Sequence, residues 1–507
     1  MTVESALVWA VFGPLLGACA LLLVPGHGRL ARGASALVVA LALLSLPVLL
    51  WVATAALADT VAVEVVLGGQ APPLGIGLRL DAFSLLMLWL VAVAGGLSAL
   101  HAACLYRPGS PDGARFWPVW LLMVAGLNGL FLSADLFNLY VAIELVTLAG
   151  VALVAWSGRP GALRAAMRYL LLAMLASLAY LLAVALLYSE HGTLDLYLLA
   201  AGMPEAGPAT RTALALGTVG LLLKAAIFPL HVWLPPAHSR APGAVSAVLS
   251  ALVVKAALYI LYRLWFWTLD AVQAPGLGLL LGLLGAAAII YGSVAALVQP
   301  RLKTMVAYST VAQLGYLMLV FPLAVGAVAG PLAWKGAVYQ LLCHGLAKAA
   351  MFLAAANLMR GLGSDRLADL AGADRRFGLS VFAFGLAGVS LMGLPPSGGF
   401  LAKWLMLEAA WAQQGWGWLG VLMLGSLLAA IYVFRALSAM FAAPADAASA
   451  PVGGRPVSAG MGLTALALAL LALVAGFASA PVFDLLDAGP PFERIEQPEA
   501  PLLEEAR

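Results

Sequence analysis

Apolar residues along this chain come in continuous runs of roughly 20, the length of helix that spans the hydrocarbon layer of a bilayer. Fourteen such runs begin near Ala6, Ala34, Phe83, Trp117, Leu136, Arg164, Thr212, Val245, Leu277, Lys303, Ala333, Ser380, Gly417 and Gly460. Polar residues gather between them, in connections that are short apart from Asp59 to Asp81, Ser189 to Arg211, Gly361 to Leu379 and Ala442 to Ala459. The pattern predicts an all-α polytopic membrane protein with about 14 transmembrane helices. The first run lacks a basic leader and a small-residue cleavage site, so it is expected to remain as a membrane helix. After the last run (460–481) comes an acidic tail, residues 482–507, expected to be loosely ordered.

Composition narrows the classes further. Of 507 residues, 64% are hydrophobic and only 10% charged, too few polar groups to coat a soluble core of that size. A single membrane domain, 1–507, is expected, without a soluble domain able to hold a nucleotide, a flavin or an iron–sulfur cluster. Cys19, Cys104 and Cys343 lie far apart, with no CxxC or Cys/His spacing, and read as small packed residues rather than disulfides or zinc ligands. No cofactor, metal or nucleic acid is expected. Any redox step would belong to a partner subunit.

The charges test the count of runs. Connections after odd-numbered runs hold Arg29 and Arg32; Arg107 and Arg115; Arg159, Arg164 and Arg168; Arg240; Arg301 and Lys303; Arg360, Arg366, Arg375 and Arg376; Arg435 and Arg455. Those after even-numbered runs hold only Arg79, Arg211 and Lys335. The positive-inside rule then places the odd connections in the cytoplasm and both termini outside, an alternation that needs an even number of spans. Arg263, beside Trp265 and Trp267, is expected to snorkel into an interfacial belt.

The lysines behave oppositely to the arginines. Lys224, Lys255, Lys348 and Lys403 all fall within apolar runs. Each intramembrane lysine costs roughly 2.5–3.5 kcal/mol on insertion scales. Snorkelling does not relieve Lys255, because ten residues of its run precede it and the nearer interface is about 15 Å away. The residue type is informative as well. Arginine stays charged, whereas a lysine removed from water can give up and take back a proton. A row of buried lysines therefore suits proton relay.

Counter-charges are scarce. Glu144, in DLFNLYVAIELVTLAG, is the acid nearest the middle of a run, and its expected partner is Lys224. Asp135, at the head of the same run, reads as an N-cap, and Glu408 as interfacial. His344 and Lys348, in QLLCHGLAKAAMFL, stand four residues apart and so share one helix face, which makes the imidazole a relay partner.

Two runs are interrupted. In LLLKAAIFPLHVWLPPAH, Pro229 must break the seventh run just after Lys224, with His231 and His238 following as secondary proton carriers on the cytoplasmic side. In SLMGLPPSGGFLAKWLML, Pro395, Pro396, Gly398 and Gly399 break the twelfth, and Lys403 follows. Breaks five runs apart predict inverted repeats of five helices, 117–269 and 277–441, after an N-terminal group at 1–116, with an ion path at the repeat interface.

Together with QPRLKTMVAYSTVAQLGYLML, these motifs resemble, in order and over most of the chain, the antiporter-like proton-translocating subunits. These occur in Mrp cation/proton antiporters, in respiratory complex I (NADH:quinone oxidoreductase) and in membrane-bound hydrogenases. The resemblance implies fourteen helices, with helices 7 and 12 discontinuous, and partner membrane subunits in a hetero-oligomeric complex. It implies Glu144 and Lys224 as the pair of a first half-channel, Lys255 as the central lysine, His344 and Lys348 as its continuation, and Lys403 as the terminal lysine. Protons, and in an Mrp complex Na+, are the implied cargo, and the bacterial inner membrane the implied location. Pro236 stands where the family often has an acid. Lys403, and the lack of a lateral helix after the fourteenth run, favour the D-type subunit of Mrp antiporters, with a proton-pumping subunit of complex I (N type) or of a membrane-bound hydrogenase as the alternative.

Overall fold

The computed structural model describes residues 2–23, 29–58, 60–202, 207–268, 275–443 and 454–489. The helices follow the apolar runs: α1 (Val3–Leu23), α2 (Arg29–Ala56), α3 (Ala82–Ala103), α4 (Pro111–Leu132), α5 (Leu136–Ser157) and α6 (Pro160–His191). Next come α7 (Pro208–Lys224), α8 (Leu234–Arg240), α9 (Gly243–Trp267), α10 (Gly276–Val298), α11 (Leu302–Leu323) and α12 (Ala329–Leu362). The last are α13 (Gly378–Met392), α14 (Gly398–Ala412), α15 (Trp416–Phe441) and α16 (Ala459–Val474). Among the described residues, eleven helices are long and apolar enough to cross a membrane, and α13 and α16 are shorter apolar helices. Each of the fourteen starting positions read from the sequence lies inside one of these helices.

Local chemistry sets the helix ends. Ser110 caps α4 by accepting from the Gly113 N–H at 3.0 Å, and Asp135 caps α5 by accepting from the Asn138 N–H at 2.7 Å. Pro160 opens α6 at a position that needs no N–H, and Gly192 closes it with a left-handed φ of 68°.

One long connection is not a loop. Residues between Asp59 and Asp81 form an antiparallel hairpin, β1 (Ala62–Leu67) paired with β2 (Ile76–Asp81), in a register that sets Ala62 opposite Asp81. Asp81 ends β2 and starts α3 through a reciprocal cap with Ser84. Its carboxylate also takes both Nη atoms of Arg263 at 2.6 Å. This corrects the reading of Arg263 as a snorkelling residue. The guanidinium is buried, bonded through Nε to the Tyr259 hydroxyl at 3.0 Å and stacked 4.4 Å from the Trp267 ring. The neighbouring tryptophans were visible along the chain, but the acid that retains the charge lies 182 residues away.

At the C-terminal end, Ala480–Asp487 forms a short helix tied to α12 by Lys335 and Asp487 at 2.6 Å, so the beginning of the expected loose tail is structured. The rest of that acidic tail, 490–507, lies outside the described residues. Helix α12 is the hub of the second half of the chain and packs on α9, α11, α13, α14 and α16. It carries His344 and Lys348 into the middle of that bundle.

Candidate functional site

The site begins at the first break. Helix α7 ends on Lys224, and Ala226 takes a left-handed φ of 55°, so the chain leaves the helical path at that point. The turn frees carbonyls inside the protein, where they need donors. The Trp233 indole N–H supplies one to the Leu223 carbonyl at 2.9 Å, and its ring is held flat on Tyr169 at 4.2 Å. Lys224 thus stands at a helix C-terminus, where the backbone dipole favours a cation. Its ammonium donates to Glu144 Oε1 at 2.8 Å and to the Thr147 hydroxyl at 3.2 Å, both on α5. The Ser177 hydroxyl of α6 also donates to that Glu144 oxygen. The lysine is buried, while the Glu144 side chain keeps 22% of its surface exposed.

Lys255 lies in the interior of α9, fully buried. The helix widens into a π-turn at Leu249–Val253, and there the Ser250 carbonyl accepts from Lys255 Nζ at 2.8 Å. The Ser250 hydroxyl meets that of Thr310 on α11 at 3.0 Å. The adjacent residue of α11, Ser309, accepts from Lys348 Nζ at 2.7 Å, and the Val306 carbonyl accepts from it at 2.5 Å. A strip of α11 therefore joins Lys255 to Lys348. His344 lies one turn before Lys348, within electrostatic reach of Lys255, Lys348 and Lys403, and neither of its ring nitrogens has a protein partner.

The second break ends the row. Helix α13 stops at Gly393, whose φ is 77°, and Ser397 caps α14 by accepting from the Phe400 N–H at 3.2 Å. Lys403 reaches back from α14 to the last turn of α13. It donates to the Leu391 carbonyl at 2.8 Å, the Met392 carbonyl at 3.4 Å and the Ser426 hydroxyl at 3.2 Å, with the Tyr316 ring 4.3 Å away. No carboxylate pairs with Lys403 among the described residues.

The structure thus brings Glu144 to Lys224, and links Lys255 with Lys348. Between the Glu144–Lys224 pair and Lys255, no hydrogen-bonded side chain bridges the described residues. His238 is buried against the Phe352 ring at 4.5 Å, with neither ring nitrogen bonded, within reach of Lys348, Lys303 and Lys255. His231 packs among Phe228 and Tyr291. Glu408 is exposed and accepts from the Trp404 indole at 2.7 Å.

Sequence reasoning missed several members. Lys303, assigned to a cytoplasmic connection, is buried in the first turn of α11 and donates to the Ala241 carbonyl. Hydroxyls and amides on α9, α11 and α12 also escaped it: Ser250, Ser309, Thr310, Gln313 and Gln340. The stretch YSTVAQ on α11 was their available signal, since its polar residues fall in an otherwise apolar run. His101 on α3 is buried as well, 2.9 Å from Asn357 Oδ1.

The family described as "NADH:quinone oxidoreductase/Mrp antiporter, TM" matches residues 133–431, which span both breaks and every lysine of the row. This chain belongs to that family. Within the antiporter family it is similar to the NADH-quinone oxidoreductase N subunit of Desulforudis audaxviator (strain MP104C), 38% identical over 374 residues and 73% of each chain. It is also similar to the Na(+)/H(+) antiporter D-type subunit of Bacillus subtilis (strain 168), 30% identical over 374 residues, covering 73% of this chain and 74% of the other. Among solved structures it resembles a chain of the Mrp complex from Dietzia sp. DQ12-45-1b, with a TM-score of 0.86, 27% identity, and coverage of 96% of this chain and 97% of that one. A chain of respiratory complex I from Thermus thermophilus follows at a TM-score of 0.72 and 29% identity, covering 96% of this chain and 100% of that one. The chain is therefore a multi-pass integral membrane protein of an antiporter-like family.

Proposed function

We propose that this chain translocates protons as one subunit of a multisubunit complex in the bacterial inner membrane, as the D-type subunit of an Mrp Na+/proton antiporter. The carrying observation is the row of four buried lysines, which begins on a carboxylate at one broken helix and ends on carbonyls at another. Each amine can hold or release a proton, and each is seated on oxygens that stabilise the charged form. A proton arriving at Lys224 passes by way of Lys255, then Lys348 and His344, and leaves through Lys403. Glu144 acts as the gate: while it touches Lys224 it holds the proton, and as it withdraws the proton is freed.

The halves 117–269 and 277–441 are read as inverted repeats. Each contains one interrupted helix with a lysine against the break, which supports that reading. The excess of arginine in odd connections supports outside termini.

A second reading, the N-type subunit of an NADH-quinone oxidoreductase, is favoured by the 38% identity to such a protein. Reconstitution of the native assembly into proteoliposomes separates the two. Proton movement driven by a Na+ gradient, with no electron donor present, is the antiporter result. Movement that requires NADH and a quinone is the oxidoreductase result. In either assembly, Glu144→Ala or Lys224→Ala should abolish proton flux while the complex still assembles, and undiminished flux in both variants would remove the gate.

A further inference from the structure

Between His344 and Lys403 the polar groups include the Tyr432 hydroxyl, beside Gln313 and Ser309, and the Ser426 hydroxyl that accepts from Lys403. Two carboxamides lie in the same interval. Gln313 of α11 donates from Nε2 to the Leu391 carbonyl at 3.2 Å, the same carbonyl that accepts from Lys403 Nζ at 2.8 Å. Gln340 of α12 donates from Nε2 to Gln313 Oε1 at 3.0 Å. Both glutamines are buried.

The direction of this chain is fixed by chemistry. A carbonyl oxygen only accepts, so Gln313 must turn its nitrogen toward Leu391 and its oxygen toward Gln340. Gln340 must then donate to Gln313, which leaves Gln340 Oε1 as a buried acceptor with no protein partner. Gln340, His344 and Lys348 follow one another at four-residue steps on one face of α12. The free acceptor therefore belongs to the face that carries the imidazole, and the imidazole nitrogens are also without protein partners.

We propose that Gln313 and Gln340 form an amide relay that positions the proton step between His344 and Lys403, a deepening of the proton-translocation reading on which it rests. A carboxamide does not itself take up the proton at working pH. It carries polarisation instead, because each hydrogen bond in a chain strengthens the next. His344 and Gln340 Oε1 are not bonded to each other in the structure; a charged imidazole turned onto that oxygen would sharpen the donation of Gln340 to Gln313, and of Gln313 to the Leu391 carbonyl. That carbonyl then has less to offer the Lys403 ammonium, which is released toward its exit. Loading His344 thus pushes the proton off Lys403. The titratable groups around this step are Lys255 on α9, Lys348 on α12, Tyr316 on α11 beside Lys403, and Tyr432 on α15 beside Gln313.

The test measures proton flux of the reconstituted complex across a pH series. Gln313→Leu and Gln340→Leu should each lower flux about tenfold, the scale of one lost buried hydrogen bond, with normal assembly. Gln313→Glu supplies the distinguishing result. A protonated carboxyl donates to Leu391 as the amide does, while an ionised one cannot and grips Lys403, so flux should recover only toward acid pH. The proposal is overturned if both leucine variants keep wild-type flux and pH profile, or if Gln313→Glu is depressed equally at every pH. Lys224→Ala run beside them separates the two levels. Loss of flux there with unaffected glutamine variants rejects the relay alone, and undiminished flux there rejects the lysine path together with the relay.

Discussion

The two broken helices solve the same problem with different chemistry. At the first, Lys224 terminates α7 and meets a full negative charge, Glu144, at 2.8 Å. At the second, Lys403 reaches back to the end of α13 and meets two carbonyls, a hydroxyl and the Tyr316 ring, with no carboxylate among the described residues. In both, the lysine occupies the negative end of a helix, worth about half an elementary charge. A carboxylate adds a whole one. On the proposed reading, the first break would hold a charged amine until its partner moves, and the second would hold one loosely enough to discharge it. Chemically identical amines are thus held differently at the two ends of the row.

The comparison can be broken at either end. Removing the amine should have the largest effect: Lys224→Ala and Lys403→Ala are each expected to cut proton flux by about a hundredfold or more, the scale of a lost proton-transfer group. Exchanging the chemistry of the ends comes next. Ser426→Asp places a carboxylate beside Lys403, and Coulomb attraction of about 4 kcal/mol at 4 Å in a partly screened site should slow release by about tenfold or more. Flux unchanged by that substitution would show that the second break does not depend on weak binding.

Smaller effects refine the picture. Trp233→Phe keeps the stack on Tyr169 but removes the donor to the Leu223 carbonyl, a loss of about 1 kcal/mol that should appear as a lower melting temperature of the complex. Glu408→Gln should leave flux within about twofold of wild type, as for surface substitutions away from any network. A large loss there would add a carboxylate to the second break after all.

The breaks and their lysines were legible in the sequence because each violates its surroundings. Pro229, Pro395 and Lys255 are costly inside apolar runs, and the cost itself marks them. The hydroxyls and glutamines that connect the amines carry a weaker mark, the polar cluster YSTVAQ in an apolar run, and their roles depend on which residues they face. Ser250 and Thr310 meet across 60 residues, and Gln313 and Leu391 across 78. Lys303 reads as the start of a run and counts with the loop charges, and its place at a helix start does not reveal that it is buried. The hairpin at Ala62–Asp81 had a local signal in the strand-forming stretch VAVEVVL, which is too short to register among apolar runs of membrane-spanning length.

The most direct test of the account is Lys255, which lies between the two breaks and holds no carboxylate of its own among the described residues. Proton flux through the reconstituted complex carrying Lys255→Ala should fall by about a hundredfold or more while the complex assembles at wild-type yield. Wild-type flux through that assembled variant would mean that protons cross without using the central lysine, and the proposed row of lysines would no longer describe the path.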